Sequence, residues 1–538
     1  MPRNPSTSTL TVKQATFGLL RAFGIRRVFG NPGSTELPFL SDWPDDIDYV
    51  LGLQEASVIG MADGYAQATR NAGFVNLHSA AGVGHALGNI FTAYRNQTPL
   101  VITAGQQARS ILPLQPFLFA ERASEFPRPY VKFAIEPARA EDVPAAIARA
   151  YYTAMQPPCG PTFVSVPIDD WNKPAQAIEA RSVTRELSPD PDAIRGLAEA
   201  LAASKHPAFV VGPGIDRAQA VELMVRLAEK TRAPVWVSPF SARCSFPERH
   251  PQFAGFLHAS PAQISETLAT YDLVVVIGAP VFTFHVEGHA TIFDGATTLF
   301  QITDDPEAAA VTPVGTSIIA TMKPALAALI EMTGESSRSA PEGRVLPPVP
   351  SASDPIQADF LLHSLAAAIP GDAAVVEEAP SHRPTMHRFM PMRGQDSFYT
   401  MASGGLGHSL PAAVGVALGR PQVRTVCLVG DGSAMYSIQA LWTAAQRQLP
   451  LTVIVVNNSG YGAMRSFSQV MQVRNVPGLE LPGIDFVKIA DGLGCAAVRV
   501  SKSSELAGAL QRGLTHKGTS LIEVMVDSAV PLLYARKG

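Results

Sequence analysis

The chain has 538 residues, 46% hydrophobic and only 16% charged, enough apolar material for about three ordinary domains with large cores. A formal net charge of -4 without any Lys/Arg cluster gives no basic field, which argues against a nucleic-acid partner. Four separated cysteines without a CxxC pair suggest neither a zinc site nor a disulfide framework, and no apolar run reaches the roughly 18 residues of a membrane span.

In chain order, the polar start MPRNPSTSTLTV has no signal-like apolar core, so a cytoplasmic location in a reducing compartment is expected. The first third alternates short β-runs, RRVFG, DYVLGL, GFVNLHS, PLVITAG and PTFVSVP, with helical patterns such as ASVIGMADGYAQATR. That alternation predicts an α/β fold, a parallel sheet with helices on both faces. A polar linker, NKPAQAIEARSVTRELSPDPDA, precedes a second series, AFVVGPG, APVWVSP, DLVVVIGAP and TLFQITDD. The Pro- and Ser-rich stretch 334 to 355 is the clearest break, and AAVVEE, TVCLVGD, LTVIVVNN and SLIEVMVD follow it. Three doubly wound parallel-sheet domains are predicted, over 1–180, 190–335 and 355–538.

The sharpest chemical signal lies in the last of these. GDG (430 to 432) ends one apolar strand, and Asn458, 27 residues after Asp431, stands at the end of the next. An Asp carboxylate, an Asn amide oxygen and a main-chain carbonyl at neighbouring strand ends make an oxygen-rich site for a small hard cation that shares its shell with phosphate. Main-chain amides of Gly432 and Ser433 at a helix start would face phosphate oxygens.

A second signal stands far upstream. Glu55, in LQEASVIGM, follows an apolar strand and opens a helix with small or apolar neighbours, surroundings in which a carboxyl group can share a proton with a ring nitrogen. Between the two, MASGGLGHSL (401 to 410) has glycines that allow close backbone approach to a ring.

GDG and NN at this spacing, with Glu55, resemble the thiamin diphosphate-dependent decarboxylases and synthases, and the resemblance covers nearly the whole chain. It implies a pyrimidine-binding domain, a middle domain and a diphosphate-binding domain. Asp431, Asn458 and the carbonyl of Gly460 would then hold Mg²⁺, or Ca²⁺ in its place. Ser381, Gly404, Leu406, Gly432, Ser433, Tyr436, Tyr461 and Gly462 would hold the cofactor, with Leu406 beneath it. Glu55 would exchange a proton with the aminopyrimidine ring. In the family that carboxyl and the metal site come from different subunits, so a homodimer at least, and a homotetramer as the expected assembly, is implied.

Three further stretches resemble the benzoylformate decarboxylase branch. FGNPGSTELPFL (29 to 40) brings Ser34 to a substrate carboxylate, NLHSAAG puts His78 at a strand end, and GAPVFTFH puts His285 at another in the middle domain. By that resemblance Ser34, His78 and His285 join Glu55 as catalytic residues, the histidines moving protons. His85, His289 and His382 compete for the same duty. YGAMRSF would aim Ala463, Met464 and Phe467 at the substrate side chain, with Thr400 near the ring pocket where an aromatic is expected. EEAPSHRP departs from the branch's hydroxyl-rich run, leaving Ser381 as the surviving cofactor contact. The implied function is decarboxylation of an aromatic 2-oxo acid with side carboligation. An acetolactate synthase-like carboligase and a non-catalytic cofactor-binding homologue are the alternatives.

Overall fold

The computed structural model describes residues 10–288, 295 and 297–533. Three six-stranded sheets, all parallel within themselves, follow one another along the chain. In the first the spatial order is Asp48–Leu51, Arg27–Gly30, Gly73–Leu77, Leu100–Gln106, Pro161–Pro167, Phe133–Ile135. The second runs Phe253–Phe256, Val235–Val237, Pro207–Val211, Leu273–Ile277, Thr298–Thr303, Thr316–Ile319. The third runs Phe398–Thr400, Ala374–Glu378, Thr425–Gly430, Leu451–Asn457, Ser520–Met525, Ala496–Val500.

Central strands are buried along their whole length because helices cover both faces, which is why they are continuous apolar runs. The predicted central strands are all present. Edge strands Phe133–Ile135, Thr316–Ile319 and Ala496–Val500 are short and partly exposed, and no long apolar run announces them. Among the described residues no helix is long and apolar enough to cross a membrane.

The first and third sheets meet through two helices, Glu55–Thr69 and Ser409–Gly419. Small residues make the approach possible. A Cβ on Gly64 would lie 2.0 Å from the Ala412 carbonyl oxygen, and one on Gly415 would lie 2.0 Å from that of Met61. Asp48 reinforces the seam from the first sheet, accepting from Arg447 Nη1 at 2.7 Å and Arg27 Nε at 3.0 Å, and these guanidiniums hold its carboxyl below the usual range against the opposing effect of burial. The middle sheet is locked to both neighbours by Arg243, whose buried guanidinium pairs with Asp216 and Asp396, bonds Gln67 at 3.0 Å and lies over the Tyr399 ring. A buried ion of this kind holds only because each donor finds an acceptor.

Candidate active site

Two groups of residues form at strand ends, where parallel α/β sheets place their ligands. The first is in the N-terminal domain. Glu55 is the first residue of its helix, and the Gln54 side chain caps that helix by accepting from Ser57 N at 3.1 Å. His78 caps the neighbouring helix Ser79–Arg95. Gly82, one turn into that helix, lies between them, since a Cβ there would sit 3.3 Å from Glu55 Oε1 and 3.5 Å from His78 Cβ.

Behind His78 stands Glu36, a buried carboxylate the sequence reading missed. His78 Nδ1 is 2.9 Å from Glu36 Oε2 and 3.1 Å from Thr35 Oγ1, so Nε2 is left to exchange a proton. Glu36 also accepts from Thr35 Oγ1 at 2.5 Å and Gly33 N at 3.0 Å. The loop wraps so closely that a Cβ on Gly33 would lie 2.0 Å from His78 Nδ1. Only the Gly33-to-Glu36 spacing, a local capping pattern, could have pointed to this carboxylate. Ser34 is exposed and opens the short turn Ser34–Glu36 beside it.

The second group is in the C-terminal domain. Asp431 follows its strand directly and is buried, with Oδ1 accepting from Gly432 N at 2.9 Å and Oδ2 from Gly460 N at 2.8 Å. The second bond joins GDG to the NNSGYG segment. Burial pushes the Asp431 carboxyl up, a penalty that a divalent cation would offset. Asn458 is buried too, and a Cβ on Gly462 would lie 2.5 Å from its Nδ2 and 2.8 Å from Ser381 Oγ. A Cβ on Gly432 would lie 2.5 Å from the Tyr461 ring. Asp431, Gly432, Asn458, Gly460, Tyr461, Gly462 and Ser381 therefore share one pocket floor, with Ser433 buried in the same turn. Among the described residues no group of three or more His, Cys, Asp or Glu could hold a metal. The donor set is instead one carboxylate, one amide and one carbonyl, all hard oxygens, which fits Mg²⁺ completed by diphosphate.

Leu406 is half-buried between Gly404 (φ +75) and Gly407 (φ +92), conformations in the left-handed region. A Cβ on Gly407 would meet Tyr436 Cβ at 2.6 Å, so the Leu406 loop rests on Tyr436. Glu378 fixes that loop from below, accepting from the main-chain amides of Gly407 (2.6 Å), His408 (3.0 Å) and Ser409 (2.7 Å). Desolvation pushes the Glu378 carboxyl up, partly countered by the Gly407 and Ser409 amides. From the N-terminal domain, Asn89 Nδ2 donates to Ala56 O at 2.7 Å and Gly407 O at 3.3 Å, and His408 Nε2 lies 2.6 Å from Asp63 Oδ2.

His285 and Phe467, from different domains, come together with ring centroids 5.1 Å apart, edge to face. Ala463 and Met464 lie on the same helix, Gly462–Val470, with Met464 exposed. Thr400 ends the strand Phe398–Thr400, six residues before Leu406. It is buried, its hydroxyl donating to Glu377 O at 2.7 Å and accepting from Arg383 Nη2 at 2.9 Å, in a network that also holds the Glu377–Arg383 ion pair. Its two partners lie near it in the sequence, but no local pattern announces them. His382 is buried, both ring nitrogens lack partners, and desolvation pushes it down to about 4, which does not suit proton transfer near neutrality. His289 lies outside the described residues. The Glu55–His78 group and the Asp431–Asn458 group share no hydrogen bond or ion pair among the described residues of one chain.

Comparison with known proteins gives the family. The chain matches the N-terminal TPP binding domain of thiamine pyrophosphate enzymes over 10–122, their central domain over 194–329 and their C-terminal TPP binding domain over 379–524. It is 42% identical over 526 residues, 97% of this chain and 100% of the relative, to a benzoylformate decarboxylase of Pseudomonas aeruginosa. The solved benzoylformate decarboxylase of Polynucleobacter necessarius superposes with TM-score 0.94 at 41% identity, covering 97% of this chain and 99% of the other. A 4-hydroxybenzoylformate decarboxylase of Rhodococcus jostii RHA1 superposes with TM-score 0.93 at 42% identity, covering 96% and 99%.

Proposed function

This chain belongs to the thiamine pyrophosphate enzymes, and from that premise we propose that it removes CO₂ from an aryl 2-oxo acid of the benzoylformate type and releases the aldehyde. The observation that carries the reading is the pairing of two sites on one chain: an oxygen-only cradle at Asp431, Asn458 and Gly460, and the His78–Glu36 dyad beside Glu55.

Asp431, Asn458 and the Gly460 carbonyl would hold Mg²⁺, or Ca²⁺, which would anchor the diphosphate of the cofactor. Thiamin diphosphate, when bound, supplies the carbon nucleophile and the electron sink that decarboxylation of a 2-oxo acid needs. The residues do the rest. Glu55 would exchange a proton with the aminopyrimidine ring, and Leu406, on a loop fixed by Glu378, would support the cofactor. Ser34 binds the substrate carboxylate. His78, kept in one orientation by Glu36, handles the proton at addition and at aldehyde release, and His285 delivers a proton to the carbon that lost CO₂. Phe467, Ala463 and Met464 offer an apolar wall to an aryl group. A carbonyl acceptor arriving before that proton gives a 2-hydroxy ketone as a side product.

The two groups complete each other when two copies associate, Glu55 of one facing Asp431 of the other, and such dimers can pair into tetramers. Exposed apolar side chains support this: Leu53, Leu114 and Phe117 in the N-terminal domain, and Met435, Tyr436 and Met471 in the C-terminal domain.

A panel of 2-oxo acids tests the substrate. Benzoylformate should exceed pyruvate in kcat/KM by at least about 100-fold, a margin of roughly 3 kcal/mol that an aryl-shaped pocket can supply. Equal turnover of the two acids would contradict the aryl assignment.

A further inference from the structure

Arg465 lies in the first turn of the helix Gly462–Val470, and its side chain reaches back to the loop that enters that helix. Its guanidinium gathers main-chain carbonyls. Nη1 donates to Asn458 O and to Ser528 O, each at 3.2 Å, and Nη2 donates to Ser459 O at 3.0 Å. Glu480 takes the rest, with Nε donating to Oε1 at 3.1 Å and Nη2 to Oε2 at 2.5 Å, so every N–H of the guanidinium is engaged. The segment that carries Glu480 is itself bonded to the loop, Tyr461 N donating to Leu479 O at 2.8 Å and Leu481 N to Ser459 O at 3.1 Å. Gly460 is pinched between the two, since a Cβ there would lie 2.3 Å from Leu479 O and 2.4 Å from Arg465 Nη2.

We propose that Arg465 is a positioning residue for the metal, and that its grip on this loop sets the preference for Mg²⁺ over Ca²⁺. This rests on the reading of Asp431, Asn458 and the Gly460 carbonyl as the donors to the metal. Of the successive carbonyls at Asn458, Ser459 and Gly460, the guanidinium holds the first two. The Gly460 carbonyl accepts from Gly462 N at 3.0 Å and keeps a second lone pair for a cation. Ser459 has φ +57, a left-handed conformation that is costly for a residue with a side chain. Its amide is held by Asn457 Oδ1 at 2.9 Å and its carbonyl by Arg465, so neighbours impose the turn that aims the next carbonyl.

The two ions differ in what they demand of such a loop. Mg²⁺ requires near-ideal octahedral oxygens at about 2.0–2.1 Å, whereas Ca²⁺ tolerates irregular shells at about 2.3–2.6 Å. A loop released from the guanidinium therefore still satisfies the larger ion and no longer the smaller. The charge of Arg465 does not discriminate, because it repels two divalent ions alike and Glu480 offsets it.

The test is calorimetric titration of the full-length protein, stripped of metal and supplied with thiamin diphosphate, first with Mg²⁺ and then separately with Ca²⁺. R465A should bind Mg²⁺ about 10- to 30-fold more weakly, the scale of loss when a residue behind a metal ligand is removed. Its affinity for Ca²⁺ should fall by less than about threefold. R465K keeps the charge but lacks the planar fork that spans several carbonyls, so its preference for Mg²⁺ should also drop, by about threefold or more. That variant carries the test if R465A does not fold. Equal losses for the two ions in R465A would mark a general structural effect and equal gains an effect of charge alone; either overturns the proposal, as does an R465K protein with the parent's ratio of affinities. Failure of the underlying reading looks different: D431A would bind Mg²⁺ as tightly as the parent.

Discussion

At the scale of single residues the site depends on close approaches that only glycine permits and on carboxylates hidden behind the reacting groups. Gly33 shows both. Its φ is ordinary for any residue, so a substitution there acts through the His78 ring and leaves the backbone conformation untouched. Gly33→Ala should push the imidazole off Glu36 and lower kcat by about tenfold or more, with thiamin diphosphate affinity unchanged because the cofactor cradle is in another domain. Steady-state kinetics beside a cofactor titration checks this, and unchanged kcat would remove His78 from the mechanism. The positions of Glu55, His78, Asp431 and Asn458 after apolar strands were legible. That of Glu36 beside His78 was not, because its partner is 42 residues away and nothing in STELP records a buried hydrogen bond. Thr400 was read from its position alone, and the hydroxyl is engaged by Glu377 and Arg383.

At the scale of elements, what the chain announces is burial on both faces. LTVIVVN and LVITAGQ could be read as central strands because every residue is covered, whereas AAVRV lies at a sheet edge, half-exposed, and carries an Arg. The helix Ser409–Gly419 shows a dependence that spacing cannot reveal. Its first amides, with that of Gly407, donate to one buried side chain, Glu378, and the same contacts hold the Leu406 loop. Glu378→Ala would leave three buried donors without an acceptor, at about 1–3 kcal/mol each before water re-enters. The expected outcome is a loss of roughly 3–5 kcal/mol of stability, readable by denaturant unfolding, together with weaker cofactor binding. A stability change under about 1 kcal/mol would mean that the loop is held by Asn89 and His408 instead.

At the scale of the whole molecule, three similar sheets are bound into one body by seams the sequence does not mark: glycine-lined helix packing, Asp48 with Arg447, and the Arg243 junction. The domain count was legible from the alternation of strands and helices, but the seams were not, since their partners lie hundreds of residues apart. One seam sets where the two site groups lie. Because Glu55 and Asp431 share no hydrogen bond or ion pair in one chain, mixing inactive E55Q protein with inactive D431A protein should restore activity. A mixed dimer carries both lesions in one site and an intact pair in the other. Activity in subunit-exchanged mixtures, compared with each variant alone, checks this, and a mixture as inactive as its parts would place the groups of each site on one subunit.

The central claim is that aryl 2-oxo acid decarboxylation runs through a metal-anchored thiamin diphosphate held at Asp431, Asn458 and Gly460. Its most direct test is CO₂ release from benzoylformate by protein stripped of metal and cofactor, then supplied with Mg²⁺, thiamin diphosphate, or both. Turnover, with benzaldehyde in equal amount, is expected only when both are present, and none in D431A under the same conditions. Turnover by the stripped protein, or none by the parent with both supplied, would contradict it.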